Sequence, residues 1–248
     1  MKKIAALLSS ATIAFSAVSA LNVNAVSTEL IVQQGASEVQ ASDTDLLLFP
    51  VEVAKLVNKE RVKNGLAPLK MFPRLNKAAK IRAEETAEFW SHRRPDGREA
   101  FTVIDDVGLK WNAVGENIAC GQTTPQAVVS AWMNSQDHKD NILNRNYKYI
   151  GVGVANINGR YYWTQNFVGM YDTYPGAYDP DQFGDVNGDG IIDSVDASLL
   201  LKDYASVSSG HGYTLTTFQR AKSDLTADDK MDSVDASSML RLYAKNST

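Results

Sequence analysis

The sequence predicts an α+β or layered α/β/α domain followed by a small all-α repeat, and three observations carry that reading. Apolar residues recur at helical spacing in separate runs between residues 51 and 134. Two alternating segments then flank Asn158-Gly159, a strong short hairpin signal. Near the C-terminus the hexapeptide DSVDAS occurs twice, at Asp193–Ser198 and at Asp232–Ser237.

Taken in order, residues 1–25 read as a secretory signal peptide. Lys2 and Lys3 precede an apolar stretch that ends in the small residues around Ala25, with Ala20 as a second cleavage point. Residues 26–47 are polar and weakly periodic and read as a linker. The larger domain is expected over 48–170. VEVAKLVNKERVKNG reads as a helix stopped by Gly65. In LNKAAKIRAEETAEFW, residues Leu75, Ala79, Ala83, Ala87 and Trp90 fall on one helical face. Thr124 and Pro125 are placed as N-cap and first residue of a third helix, with Val128, Ala131 and Trp132 facing inward. Helices first and a hairpin last give the layered α/β/α expectation. Residues 171–183, rich in Tyr, Pro, Asp and Gly, read as a second linker. The repeat occupies 184–248.

Composition narrows the function. The chain is 44% hydrophobic and 22% charged, ordinary globular material. A net charge of −4 gives no basic footprint for nucleic acid. After the leader no stretch is long and apolar enough to span a bilayer. Cys120 is the only cysteine, so the exported chain cannot cross-link itself, and in IACG it reads as a small buried hydrophobe. Residues 185–243 hold ten Asp, no Glu and five Lys or Arg. The negative charge is therefore concentrated in the repeat.

Each DSVDAS closes a twelve-residue acidic loop. In the first, Asp185, Asn187, Asp189, Asp193 and Asp196 take loop positions 1, 3, 5, 9 and 12, with Gly190 at 6 and the Ile191 carbonyl at 7. Oxygen side chains on alternate residues suit calcium, which takes six to eight oxygens, and carboxylates this close need a cation to offset their repulsion. The second loop repeats the register with Asp224, Thr226, Asp228, Asp232 and Asp235 and the Lys230 carbonyl at 7. It departs at Thr226 and at Asp229, which stands where glycine is usual, so weaker binding is expected there. The segments DSVDASLLLKDYA and DSVDASSMLRLYA share nine of thirteen letters. Two calcium ions are the expected cofactors.

The larger domain offers His92 in SHRRPDG, Glu116 in VGENIACG, and Ser135 with His138 in WMNSQDHKDNIL. Histidine with a carboxylate suits acid–base work or metal binding. Spacing alone does not make these residues converge.

The calcium loop-plus-helix repeat resembles the type I dockerin family over residues 184–244. That resemblance implies calcium-dependent attachment to a cohesin domain of a scaffoldin, in a secreted, extracellular cellulosome. It also implies recognition through Ser194, Val195 and Lys202 and through Ser233, Val234 and Arg241, two related faces usable in either orientation. The series NKERVKNGLAPLK, RAEETAEFWSHRRPDGR, GENIACG, WMNSQDHKDNILN, YIGVGVA and YYWTQNF resembles the bacterial branch of the CAP (SCP/TAPS) superfamily over about 48–169. It implies a three-layer α-β-α sandwich whose central cleft is lined by two histidines and two acidic residues. His92, Glu116 and His138 fill three of those places, and Ser135 stands at the fourth.

Function within the cleft stays open between readings, because a fold does not settle an activity. The first is a binding module whose cleft holds a lipid, glycan or peptide, with the imidazoles of His92 and His138 able to take a divalent metal. The second is a hydrolase acting on plant cell-wall polysaccharide, peptide or ester, with Glu116 as base and the histidines polarising the substrate or holding zinc with Glu116 as third ligand. The third makes Ser135 a nucleophile activated by His138.

Overall fold

The computed structural model describes residues 43–246. The signal peptide and most of the first expected linker lie outside the described residues. The first helix, α1 (Asp43–Lys63), begins within that linker and carries Pro50 inside it. A proline removes one helical hydrogen bond and reads in sequence as a boundary. Here burial offsets it: Phe49 stacks on Trp163 at 5.6 Å, and Val53, Ala54 and Val57 are fully buried.

Helix α2 (Pro73–Glu88) opens with proline in its first turn and buries Leu75, Ala78, Ala79, Arg82 and Ala83. Sequence periodicity extended this face to Trp90. The helix stops before it, Ala87 is only partly covered, and Trp90 is exposed. A short helix α3 (Thr102–Asp106) follows, then strand β1 (Ala113–Cys120). No strand was expected at β1, since Gly115, Glu116 and Asn117 are poor strand formers and pairing with a distant strand supplies the stability. Helix α4 (Pro125–Met133) is capped as expected, the Thr124 hydroxyl accepting from Ala127 N, and buries Val128, Val129 and Trp132. Ala131 is only partly covered. Helix α5 (Gln136–Ile142) follows directly.

Strands β2 (Tyr149–Ile157) and β3 (Arg160–Gly169) form the expected hairpin. Asn158 at φ 53° and Gly159 at φ 80° are both left-handed, as a two-residue primed turn requires. The antiparallel sheet has the order β1-β3-β2, with Glu116 opposite Asn166. On one sheet face, Ile150, Val152, Trp163 and Phe167 share a core with Val53 and Trp132. On the other, Tyr149 and Val168 share a second core with Phe72, Leu75 and Ile104. The domain is therefore an α-β-α sandwich. At Gly151 and Gly153 a Cβ would run into the Leu75 and Ala79 carbonyls, so α2 lies with its backbone directly on β2.

Within residues 171–183, where a linker was expected, Tyr174 and Tyr178 pack onto the larger domain. Tyr174 stacks on Phe72 at 3.9 Å, and Tyr178, fully buried, exchanges two 2.9 Å backbone hydrogen bonds with Met71. Asn76 Nδ2 donates to the Tyr178 hydroxyl at 3.2 Å. Aromatic anchors hold this strap without any periodicity that sequence reading could detect. Beyond it come α6 (Ser194–Ser208), a short α7 (Thr217–Ala221) that the repeat did not announce, and α8 (Ser233–Asn246). Helices α6 and α8 pack together, burying Ala197 and Leu200 with Ala236, Met239 and Leu242. These residues belong to the same continuous core as Val53 and Trp163.

Candidate functional site

Trp90, Ser91, His92, Arg93, Glu99, Ile118 and His138 line one open cleft on the larger domain. Glu116 rises from β1 beneath it, with His92 Nδ1 2.9 Å from Glu116 Oε1. An ionised carboxylate only accepts, so His92 carries its proton on Nδ1 in this pair. The His92 side chain is 61% exposed and that of Glu116 only 2%. Arg82, fully buried on α2, closes the other side: Nε donates to Glu116 Oε2 at 2.8 Å and Nη2 to Oε1 at 3.2 Å. Burial pushes the Glu116 carboxyl up, but the hydrogen bonds from His92 and Arg82 and the guanidinium charge outweigh it and hold the group below its ordinary range. His138 is pushed below the ordinary imidazole value by burial first and by the charge of His92 next, with Asp137 opposing.

The charge pairs continue away from the cleft. Arg82 Nη1 reaches Glu85 Oε2 at 2.7 Å, Arg94 Nη2 reaches Glu85 Oε1 at 2.6 Å, and Arg94 also pairs with Asp106. Sequence reading missed Arg82, Glu85 and Arg94 altogether. Arg82 and Glu85 at i and i+3 on one helix were the available signal.

His92 and Glu116 thus converge, and His138 faces the same cleft. Ser135 does not join them. It is the N-cap residue of α5 without a side-chain cap bond, and among the described residues it makes no hydrogen bond to His138. Glu116 is not free to serve as a zinc ligand here, because Arg82 and His92 between them occupy both of its oxygens. Its hold on Nδ1 leaves Nε2 of His92 as the ring nitrogen that would face a metal together with His138. Cys120 is partly buried, with Arg160 Nη2 3.1 Å from its sulfur.

The two acidic loops are built alike. Asp196 accepts from the amides of Val186, Asn187 and Asp193, and Asp185 from those of Gly188, Asp189 and Gly190. In the second loop Asp235 accepts from Thr226 and Asp232, and Asp224 from Asp228 and Asp229. The carboxylate oxygens of Asp224, Asp228 and Asp235 lie within 4.8 Å of one another, a cation-holding spacing. Burial first, and then the charge of Asp235, push the Asp224 carboxyl up to about 7, and burial likewise raises Asp235. The second set fits calcium by spacing, and the first shares its register and its amide-oriented carboxylates, Asp185 and Asp196. Thr226 fits position 3, its hydroxyl 3.2 Å from Asp235 Oδ1.

Where the first loop turns through Gly188 and Gly190 at φ 84° and 86°, the second turns through Ala227 and Asp229 at φ 55° and 65°. Sequence reading noted Asp229 and overlooked Ala227. Each non-glycine left-handed residue costs about 1–2 kcal/mol, less for aspartate than for alanine.

The six expected docking residues, Ser194, Val195, Lys202, Ser233, Val234 and Arg241, are all exposed. Val195 and Val234 are 48% and 50% exposed, and Leu201 and Leu240 are each 42% exposed. The helices therefore present matching faces, apolar residues flanked by serine and one cation.

Residues 54–167 match the profile of the cysteine-rich secretory protein (CAP) family, and residues 183–242 match that of the dockerin type I domain. The chain carries a CAP domain followed by a type I dockerin. The CAP domain is similar to the uncharacterized protein YkwD of Bacillus subtilis, 39% identical over 49% of this chain and 47% of that one. It is also similar to the uncharacterized membrane protein YlbC of the same organism, 32% identical over 47% of this chain and 33% of that one. The chain spans less than half the length of either relative. Among solved structures, an extracellular SCP-domain protein of Bacillus anthracis aligns at 24% identity over 49% of this chain and 40% of that one, with a TM-score of 0.46. An outer surface protein of Borrelia burgdorferi aligns at 24% over 48% of this chain and 90% of that one, TM-score 0.44. Dockerins as a class bind calcium and take cohesins as partners, and the two domains together mark an extracellular protein. No helix among the described residues is long and apolar enough to cross a membrane.

Proposed function

We propose that this is a secreted, cellulosome-associated protein whose dockerin fastens the CAP domain to a scaffoldin cohesin when calcium is bound, and whose CAP domain holds a ligand in the cleft around His92 and His138. The observation that carries the docking half is the matched pair of exposed faces at Val195–Leu201 and Val234–Leu240, each placed by an acidic loop. Exposed valine and leucine with serine and one cation on the same helix suit a preformed protein partner. Either face alone suffices in this reading. Binding of the intact chain to immobilised type I cohesins tests it. Calcium-dependent capture should survive Val195→Asp or Val234→Asp alone and vanish in the pair. Equal capture in chelator is incompatible with it.

Ligand binding is favoured over hydrolysis because Glu116, the only buried acid in the cleft, is held by Arg82 and kept from acting as a free base. A glycosidase needs two carboxyl groups across the sugar. Ser135 stands at the family's second acidic place, and Glu99, the other carboxylate lining the cleft, is exposed and paired with Arg93 at 2.7 Å. One observation favours a second reading. The Glu116–His92 pair orients an exposed imidazole, which could act as base on plant cell-wall esters or peptides. Turnover lost in His92→Ala, on pectin esters or casein, would support hydrolysis. Retained uptake of ligand without turnover supports binding.

A further inference from the structure

The second calcium loop lies against the CAP domain, and the contacts fall where that loop is hardest to fold. Lys80 Nζ donates to the Thr226 carbonyl at 2.8 Å, and Arg74 Nε donates to Asp229 Oδ2 at 3.3 Å. Thr226 precedes Ala227, the first left-handed residue, and Asp229 is the second. The two grips therefore bracket the strained stretch. Both side chains come from α2, and six residues along a helix advance about 9 Å, enough to straddle a tight turn. Beside the Lys80–Thr226 contact, Leu46, Pro50, Val152 and Val154 line a largely apolar groove together with Leu225 and Ala227. The first loop has glycine at both matching positions, Gly188 and Gly190, and needs no outside support for the same backbone.

We propose that the CAP domain holds the second calcium loop in its ion-binding conformation, Lys80 and Arg74 fixing the ends of the left-handed stretch, so that calcium uptake there depends on the larger domain. The proposal rests on the second loop being a calcium site. The dockerin is then not a free tag on a tether. Its second half is completed by the cargo it carries, through the same surface that joins the two cores. The positive charges of Lys80 and Arg74 act in the opposite sense, repelling a nearby cation, but Arg74 stands at the solvent edge where water and salt screen it. Conformational support therefore prevails.

Calorimetric titration of the full chain with calcium chloride tests this in an Asp185→Ala background, which leaves the second loop as the site being read. Arg74→Ala with Lys80→Ala should weaken calcium binding about tenfold, the effect of releasing one left-handed residue. Adding Ala227→Gly and Asp229→Gly should restore it, because glycine adopts that backbone unaided. Where the double truncation unsettles the fold, Lys80→Met keeps the apolar stem and carries the same comparison. Unchanged or tighter binding without the two cations overturns the proposal, as does a loss that the glycine pair fails to restore. Absence of calcium heat in Asp185→Ala alone removes the second site itself, and the proposal with it.

Discussion

In the cleft, Glu116 is buried with an equally buried arginine against both of its oxygens. In the dockerin, Asp196 and Asp235 are buried as deeply but meet backbone amides and the Thr226 hydroxyl. Amides and hydroxyls satisfy a carboxylate's hydrogen bonds without cancelling its charge. Arginine does both. The comparison teaches where a cation is still needed. The loop carboxylates keep charge for a cation from solution, whereas Glu116 already has its cation built in as Arg82.

The largest effect should come from the side of the comparison that depends on an external cation. Asp185→Ala combined with Asp224→Ala should abolish calcium binding and cohesin capture while the CAP domain keeps its fold, as calorimetry and near-ultraviolet dichroism will show. Next, Arg82→Ala should cost about 3–5 kcal/mol in urea denaturation, because it strands a buried carboxylate. Arg82→Met together with Glu116→Gln should recover part of that loss. If Arg82→Ala were neutral, the built-in cation would not be what stabilises the cleft.

Acidity sharpens the contrast at a smaller scale. Asp224 titrates near 7 in the folded, ion-free loop against 3.8 ordinarily, so it contributes stability when protonated, and that contribution is lost as pH rises through 7. Calcium must displace the same proton. Uptake at the second loop should therefore weaken about tenfold between pH 8 and pH 6, measured in an Asp185→Ala chain. The smallest effect is expected at His92. Its side chain is mostly exposed and Glu116 retains Arg82, so His92→Ala should change stability by less than about 1 kcal/mol in the same denaturation assay while lowering ligand uptake.

The acidic loops were legible because their chemistry is local: five oxygen-bearing residues within twelve positions, held by amides of the same twelve. The same holds for the Asn158-Gly159 turn and the Thr124 cap. Strand β1 was illegible because its residues are poor strand formers that become a strand through pairing with β3, as Glu116 does with Asn166. Pro50 concealed the start of α1, since a local rule against proline is outweighed by Phe49 stacking on Trp163.

By itself the sequence determined the calcium register and the doubled loop-helix unit, which depend on neighbours within a turn or two, and gave the export signal as an expectation. That His92, Glu116 and His138 would meet in a cleft came from the family resemblance and not from their spacing. Only the tertiary structure decided that Arg82 claims Glu116, that Ser135 stands apart, that the Tyr174–Tyr178 strap is packed, and that α2 reaches the second loop. Those outcomes join residues tens to more than a hundred positions apart, and contacts at that range follow from how two cores pack on one sheet, which no local spacing encodes.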